Sequence, residues 1–130
     1  MTATIAEHLR PLLTNANFGS LATVRPDNTA QVNPMWFELV DNTICFTHTT
    51  KRAKFRNLQK NPSMALCVWD PANPLVYVEV RGRLIETIPD PEGDFYVRLG
   101  RRYGNAGQQA PPDRADRVVL VMSIDRVIGR

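Results

Sequence analysis

The sequence predicts a mainly β domain with peripheral helices, its short antiparallel strands closing into a small barrel. Three observations carry this reading. Runs of β-branched and aromatic residues recur between turn signals, as in Phe18–Val24, Thr43–Thr47 and Val118–Ile124. Val76, Val78 and Val80 alternate with Tyr77, Glu79 and Arg81, the period of a sheet with one dry face and one polar face. Helical spacing is confined to three short segments, too few to build the core alone. A chain of 130 residues fits one domain, residues 1–130, and closure of its strands would remove exposed edges.

The elements follow in order. Ile5, Leu9, Leu12 and Leu13 stand at helical spacing, and Thr4 with Glu7 has the form of a capping box, so a helix is expected over 5–13. Phe18–Val24 and Thr29–Val32 flank Pro26-Asp27-Asn28 and read as a hairpin. Met35–Val40 and Thr43–Thr47 flank Asp41-Asn42 and read as a second. Lys51–Lys60 changes to helical spacing with Phe55 and Leu58 on one face, and Asn61-Pro62 ends it. Ser63–Trp69 is extended, 70–74 is a loop, and Leu75–Arg81 is a strand, with Gly82 marking a bulge or a close backbone approach. A helix over 91–103 aligns Phe95, Leu99 and Tyr103, a Gly- and Pro-containing loop spans 104–116, and Val118–Ile124 is the last expected strand. Six or seven strands and two or three helices result.

Composition narrows the function classes. No segment is long and apolar enough to span a membrane, and the N-terminal residues lack a basic run followed by an apolar one, so a cytoplasmic protein without a membrane role is expected. Cys45 and Cys67 lack metal or redox spacing and read as reduced core thiols, and no metal is expected. The net charge is only +3, yet Lys51, Arg52, Lys54, Arg56 and Lys60 share a ten-residue stretch without an acid. Such a patch attracts phosphate, on a small molecule or on nucleic acid. Nucleic-acid barrels interleave exposed aromatics with cations along strands, whereas here the cations gather at a helix start, so nucleic acid is not the expected partner.

That helix start is the most informative segment. Cations are disfavoured at a helix N-terminus by about 0.3–1 kcal/mol each, yet Lys51, Arg52 and Lys54 crowd the expected first turn. A phosphate there would be met together by free N–H groups, by the Thr49 and Thr50 hydroxyls and by the cations. The alternative is a solvated basic face with Thr50 as an ordinary N-cap. Asn33-Pro34-Met35-Trp36-Phe37 presents a thioether and two aromatic rings on extended chain, suited to paving a flat ring or to ordinary core. Tyr77, Glu79 and Arg81 share a face that is either a cross-strand ion pair or a groove wall. His48 stands without an acid at triad-like spacing to orient it and is given no chemical role.

The segments Phe46–Pro62, Ala65–Trp69 and Tyr77–Gly82 together resemble the pyridoxamine 5'-phosphate oxidase-like, FMN-binding split-barrel superfamily. Val32–Phe37 and Arg52-Ala53-Lys54-x-Arg56-Asn57-Leu58 resemble most its actinobacterial F420-dependent oxidoreductase branch. The resemblance implies a six-stranded antiparallel split β-barrel, a homodimer with cofactor along the subunit interface, and hydride transfer from reduced coenzyme F420 to a small organic acceptor. It implies that Arg52 and Lys54 hold the cofactor phosphate with Asn57 in support and Lys51 adjacent. Thr47, Thr49 and Thr50 would line the phosphate and ribityl end, and Asn33, Pro34, Met35 and Trp36 would border the ring. Tyr77 and the Asn73-Pro74 loop would approach from the partner subunit. FMN in the same site and a non-catalytic flavin or F420 carrier are the alternatives. Pyridoxamine phosphate oxidases continue past the last strand with an Arg/His segment that this chain lacks after Val127–Arg130, so vitamin B6 oxidation is not carried over.

Overall fold

The structure is a computed structural model that describes residues 2–130. The strands are β1 (Gly19–Val24), β2 (Ala30–Met35), β3 (Glu38–Val40), β4 (Thr43–Thr49), β5 (Ser63–Asp70), β6 (Asn73–Pro89), β7 (Arg117–Ser123) and β8 (Arg126–Gly129). The helices are α1 (Arg10–Thr14), α2 (Ala53–Lys60) and α3 (Asp94–Arg102), and a 3-10 turn covers Arg114–Asp116. All pairings are antiparallel in the order β2-β1-β5-β6-β7-β4-β3, with β8 against β6. This is the mainly β, split-barrel architecture expected, with α2 and α3 outside it.

β6 joins the two halves. Its first part pairs with β5 and β8 and its last part with β7, the change falling between Arg83 and Leu84. Gly82 lies at that change because a Cβ there would stand 1.8 Å from the Ser123 carbonyl oxygen. The interior is filled by apolar side chains from every layer: Leu13 from α1, Leu21 from β1, Phe46 from β4, Leu58 from α2, Leu66 from β5, Val78 and Val80 from β6, and Leu120 and Met122 from β7. On the opposite face of β4 and β7, Cys45, Val119 and Val121 pack with Phe95 of α3. Cys45 and Cys67 are free thiols; Cys67 is only half-buried, and burial pushes both thiols up.

Several boundaries differ from expectation for identifiable reasons. The Thr4–Glu7 capping box does not form: α1 begins only at Arg10, with Leu9 at its N-cap and Pro11 in its first turn. Ala3 is bound instead through its N–H to the Ile124 carbonyl, 2.8 Å, which keeps the preceding chain out of the helix. The expected strand 35–40 is interrupted at Trp36 and Phe37, where the Phe37 ring turns fully inward. Its backbone is satisfied by α3 instead of a ladder, the N–H donating to Tyr103 Oη (3.0 Å) and the carbonyl accepting from Arg102 Nε (2.9 Å). The expected helix over 91–103 starts at Asp94, after Gly93 in the left-handed region, because the Asp90 carboxylate accepts the N–H groups of Asp94 and Phe95. The expected loop 70–74 contracts to a turn in which Asp70 and Asn73 accept from backbone N–H groups two residues on. β3 is what remains of the expected strand 35–40, and β8, for which the sequence gives no expectation, brings the strands to eight, against the six or seven expected.

Candidate functional site

The cations at the start of α2 are arranged differently from a fully basic first turn. The helix begins at Ala53, so Arg52 is its extended N-cap residue and Lys51 precedes it on the surface; only Lys54 lies within the first turn. Thr50 is not the N-cap, and no side chain caps the helix. The Thr49 hydroxyl accepts the Lys51 N–H at 3.2 Å, and Thr50 N–H donates to the Asp116 carbonyl at 3.2 Å, tying this turn to the segment before β7.

A cavity of ≈ 760 Å³ opens beside that turn. One wall is the end of β2 with Asn33, Pro34, Met35 and Trp36; another is Arg52, Ala53 and Lys54. Thr47 and His48 of β4 form its floor, and Phe18, Gln31, Tyr96 and Arg117 complete it. The aromatic side is continuous. Phe18 lies 5.3 Å from Tyr103, Tyr103 stacks on Trp36 at 5.5 Å and 11°, Trp36 is 5.8 Å from Tyr96, and the Arg117 guanidinium sits 4.7 Å over the Tyr96 ring.

The cationic side is unsatisfied. Lys54 is only 6 % exposed, and its Nζ has a weak acceptor, Met35 Sδ, at 3.6 Å. Among the described residues neither Lys54 nor Arg52 has a carboxylate partner. Burial, then the Arg52 charge, pulls the Lys54 pKa down. Thr47 Oγ1 and His48 Nε2 are buried without any hydrogen-bond partner, in residues 8 % and 4 % exposed. Burial, followed by the charges of Lys54, Arg52 and Arg117, lowers the His48 pKa to about 4, so the imidazole is neutral at ordinary pH. A buried cation without a counter-charge and two orphaned polar atoms cost free energy that the chain itself does not offset. The donor set and the aromatic side chains, Trp36 and Tyr96 tilted 52° to each other, fit a ligand with an anionic end and an aromatic ring.

Of the residues singled out from the sequence, the structure brings Asn33, Pro34, Met35, Trp36, Thr47, Arg52 and Lys54 onto the cavity. Asn57 does not line it. It is buried behind the wall and donates to Gln31 Oε1 at 2.8 Å, while Gln31 Nε2 donates to Asn33 Oδ1 at 3.1 Å, so it positions two wall residues at one remove. Thr49, Thr50 and Lys51 lie off the wall, the first two held by the turn just described and Lys51 facing solvent. Tyr77 does not line its own chain's cavity; it pairs in register with Trp69, in the same sheet as the β2 wall. Glu79 and Arg81 form an ion pair at 2.8 Å within one strand, not across two. Gln31, His48, Ala53, Phe18, Tyr96 and Arg117 are wall residues that the sequence did not assign. Arg117 and Tyr96 could have been found only by knowing that the start of β7 adjoins the end of β4 and that α3 folds over both.

Among the described residues no cluster of side chains could hold a metal ion, and no helix is long and apolar enough to cross a membrane. The family described as Pyridoxamine 5'-phosphate oxidase matches residues 5–130. A solved structure of an F420 reductase is 46 % identical, with a TM-score of 0.92 over 95 % of this chain and 98 % of that one. At the level of fold alone, the conserved hypothetical protein Rv2991 from Mycobacterium tuberculosis is similar with a TM-score of 0.76 at 19 % identity, over 97 % of this chain and 84 % of that one. General Stress Protein 26 from Bacillus anthracis is similar with a TM-score of 0.73 at 19 % identity, over 95 % and 91 %. No curated protein matches the chain. Fold, cavity and matched sequence agree, and the chain belongs to the pyridoxamine 5'-phosphate oxidase family, in the branch of the F420 reductase it resembles.

Proposed function

We propose that this protein is an F420-dependent reductase that passes a hydride from the reduced deazaflavin to a small organic acceptor. The observation that carries the proposal is Lys54, a buried ammonium without a counter-charge, beside Arg52 and two orphaned polar groups in one cavity. An anion supplied from outside the chain removes that cost, and coenzyme F420 carries a phosphate and a further acidic tail. The similarity to an F420 reductase supports the same reading.

When bound, the deazaflavin supplies the hydride, which explains why the cavity shows no nucleophile with an attendant base. The chain's own residues bind and orient. Arg52 and Lys54 take the phosphate, with α2's free N–H groups behind them. Trp36 and Met35 border the ring, and Pro34 presents no N–H to the ladder on that wall. Asn57, through Gln31, fixes Asn33 at the ring edge. Thr47 Oγ1 gains a partner on the ligand, and His48, neutral, serves as a hydrogen-bonding group, not as a proton store. The aromatic wall excludes water from one side of the ring.

We further infer a homodimer. Leu75 and Val32 are 77 % and 61 % exposed, and Tyr77 does not line its own chain's cavity, which leaves it free to contribute to a partner's. The unpaired thiols suit the cytoplasm. Light scattering on a sizing column checks the dimer, and cell fractionation the compartment.

The test of function is fluorescence titration with F420 and with FMN. Arg52→Ala combined with Lys54→Ala is expected to weaken F420 binding by two orders of magnitude or more, the loss of two charge-assisted contacts. Unchanged affinity overturns the anchor. Tight FMN binding without F420 binding makes the protein an FMN enzyme. Binding of F420 without turnover of quinone or unsaturated carbonyl acceptors makes it a carrier.

A further inference from the structure

Arg117 opens β7 with its side chain 10 % exposed, and it is held on two sides. Its Nε and Nη2 donate to the two carboxylate oxygens of Asp113, at 3.1 and 3.3 Å. Its guanidinium carbon stands 4.7 Å over the Tyr96 ring, and the Tyr96 ring in turn lies 5.8 Å from Trp36. A guanidinium has five donors in a rigid plane, and the Asp113 fork uses one edge of it. Nη1 has no hydrogen bond among the described residues and is not a sealed atom, and the residue lines the cavity. Asp113 compensates much of the charge, so the free edge suits a neutral or partly charged oxygen better than a phosphate dianion. The Arg52 and Lys54 wall, without any carboxylate, is the complementary case.

We propose that Arg117, pre-organised by Asp113 and Tyr96, is a ligand-contacting residue that donates from Nη1 to a carbonyl-type oxygen at the edge of a planar conjugated ring lying along the Trp36–Tyr96 wall. The oxygen belongs either to the cofactor ring or to the acceptor. The inference takes the identity of these ligands from the function proposed above, but its chemistry requires only a flat ring with an in-plane oxygen.

The experiment uses lumichrome, which carries such a ring and oxygens without phosphate, so it is independent of the Arg52 and Lys54 anchor. Lumichrome is titrated into the full chain and followed by its own fluorescence. Arg117→Met is expected to weaken binding about tenfold, the size of one hydrogen bond to a charged donor, with Arg117→Lys intermediate. Asp113→Asn, which leaves the guanidinium but loosens it, is expected to weaken binding about threefold and decides the matter if Arg117→Met fails to melt cooperatively. A loss for lumichrome places the oxygen on the cofactor ring. Intact lumichrome and cofactor affinity with a tenfold rise in acceptor KM places it on the acceptor. If neither quantity moves, or the wild-type chain binds neither ring, the inference is overturned.

Discussion

His48 and Lys54 show what an empty anion site does to single residues. The His48 pKa falls from 6.5 to about 4, so the folded state binds the proton less readily than the unfolded one. Its contribution to stability is full above pH 6.5 and lost as pH falls from there to about 4, by about 3 kcal/mol at one pKa unit per 1.36 kcal/mol. Urea midpoints at pH 7.5 and 4.5 should therefore lie further apart in the wild type than in His48→Gln, which cannot take up that proton. For Lys54→Met the two properties of the residue should separate. The variant should melt a few degrees higher without ligand, because about 1 kcal/mol of uncompensated charge burial is removed. The same variant should bind F420 at least tenfold more weakly, as calorimetry of the two proteins with and without cofactor would show. Equal melting temperatures without ligand would mean that Lys54 is better solvated than its burial implies.

The hairpins β1–β2 and β3–β4 could be read from the sequence because their information is local: alternating apolar residues on either side of Pro26-Asp27-Asn28 or Asp41-Asn42. The Thr4–Glu7 signal was equally local and misled, because the bond from Ala3 to Ile124 is long-range and outweighs it. β8 was missed for a similar reason, since Val127 and Ile128 become a strand only because β6 offers an edge to them. Gly82 combines both kinds of information. Its place before an apolar pair marks a special position, but the reason lies on β7. Gly82→Ala should cost about 3 kcal/mol or more, because a backbone carbonyl, not a flexible side chain, occupies the space a Cβ needs. Denaturant unfolding measures this directly. Arg102 ties α3 to other elements by donating to the Phe37, Thr14 and Asn15 carbonyls. Arg102→Ala should destabilise by about 2–3 kcal/mol and broaden the NMR signals of Trp36, whose stacking partner Tyr103 is the next residue.

Across the whole molecule, Arg52 and Lys54 could be anticipated from the charge pattern, the Asn33–Trp36 stretch from its thioether and aromatic residues and Thr47 from the resemblance, but not their neighbours His48 and Ala53 on the same wall. Nor could Phe18, Gln31, Tyr96 and Arg117. Tyr96 and Arg117 are ordinary residues in the sequence, and only the crossing of α3 over β4 and β7 turns them into a wall. Asn57 illustrates an intermediate case: the resemblance implies that it supports Arg52 and Lys54, but its hydrogen bonds run to Gln31 and Thr23 behind the wall.

Because β6 is the one strand among the described residues that pairs with both halves of the barrel, it works as a shared spine. Neither half can unzip fully without stripping part of that strand from its neighbours. Amide exchange along Val78–Ile88 should thus be the slowest in the chain, measurable by mass spectrometry of labelled peptides. A ligand that stiffens the cavity on one side would slow exchange on the far side as well, carried by seventeen residues of a single strand.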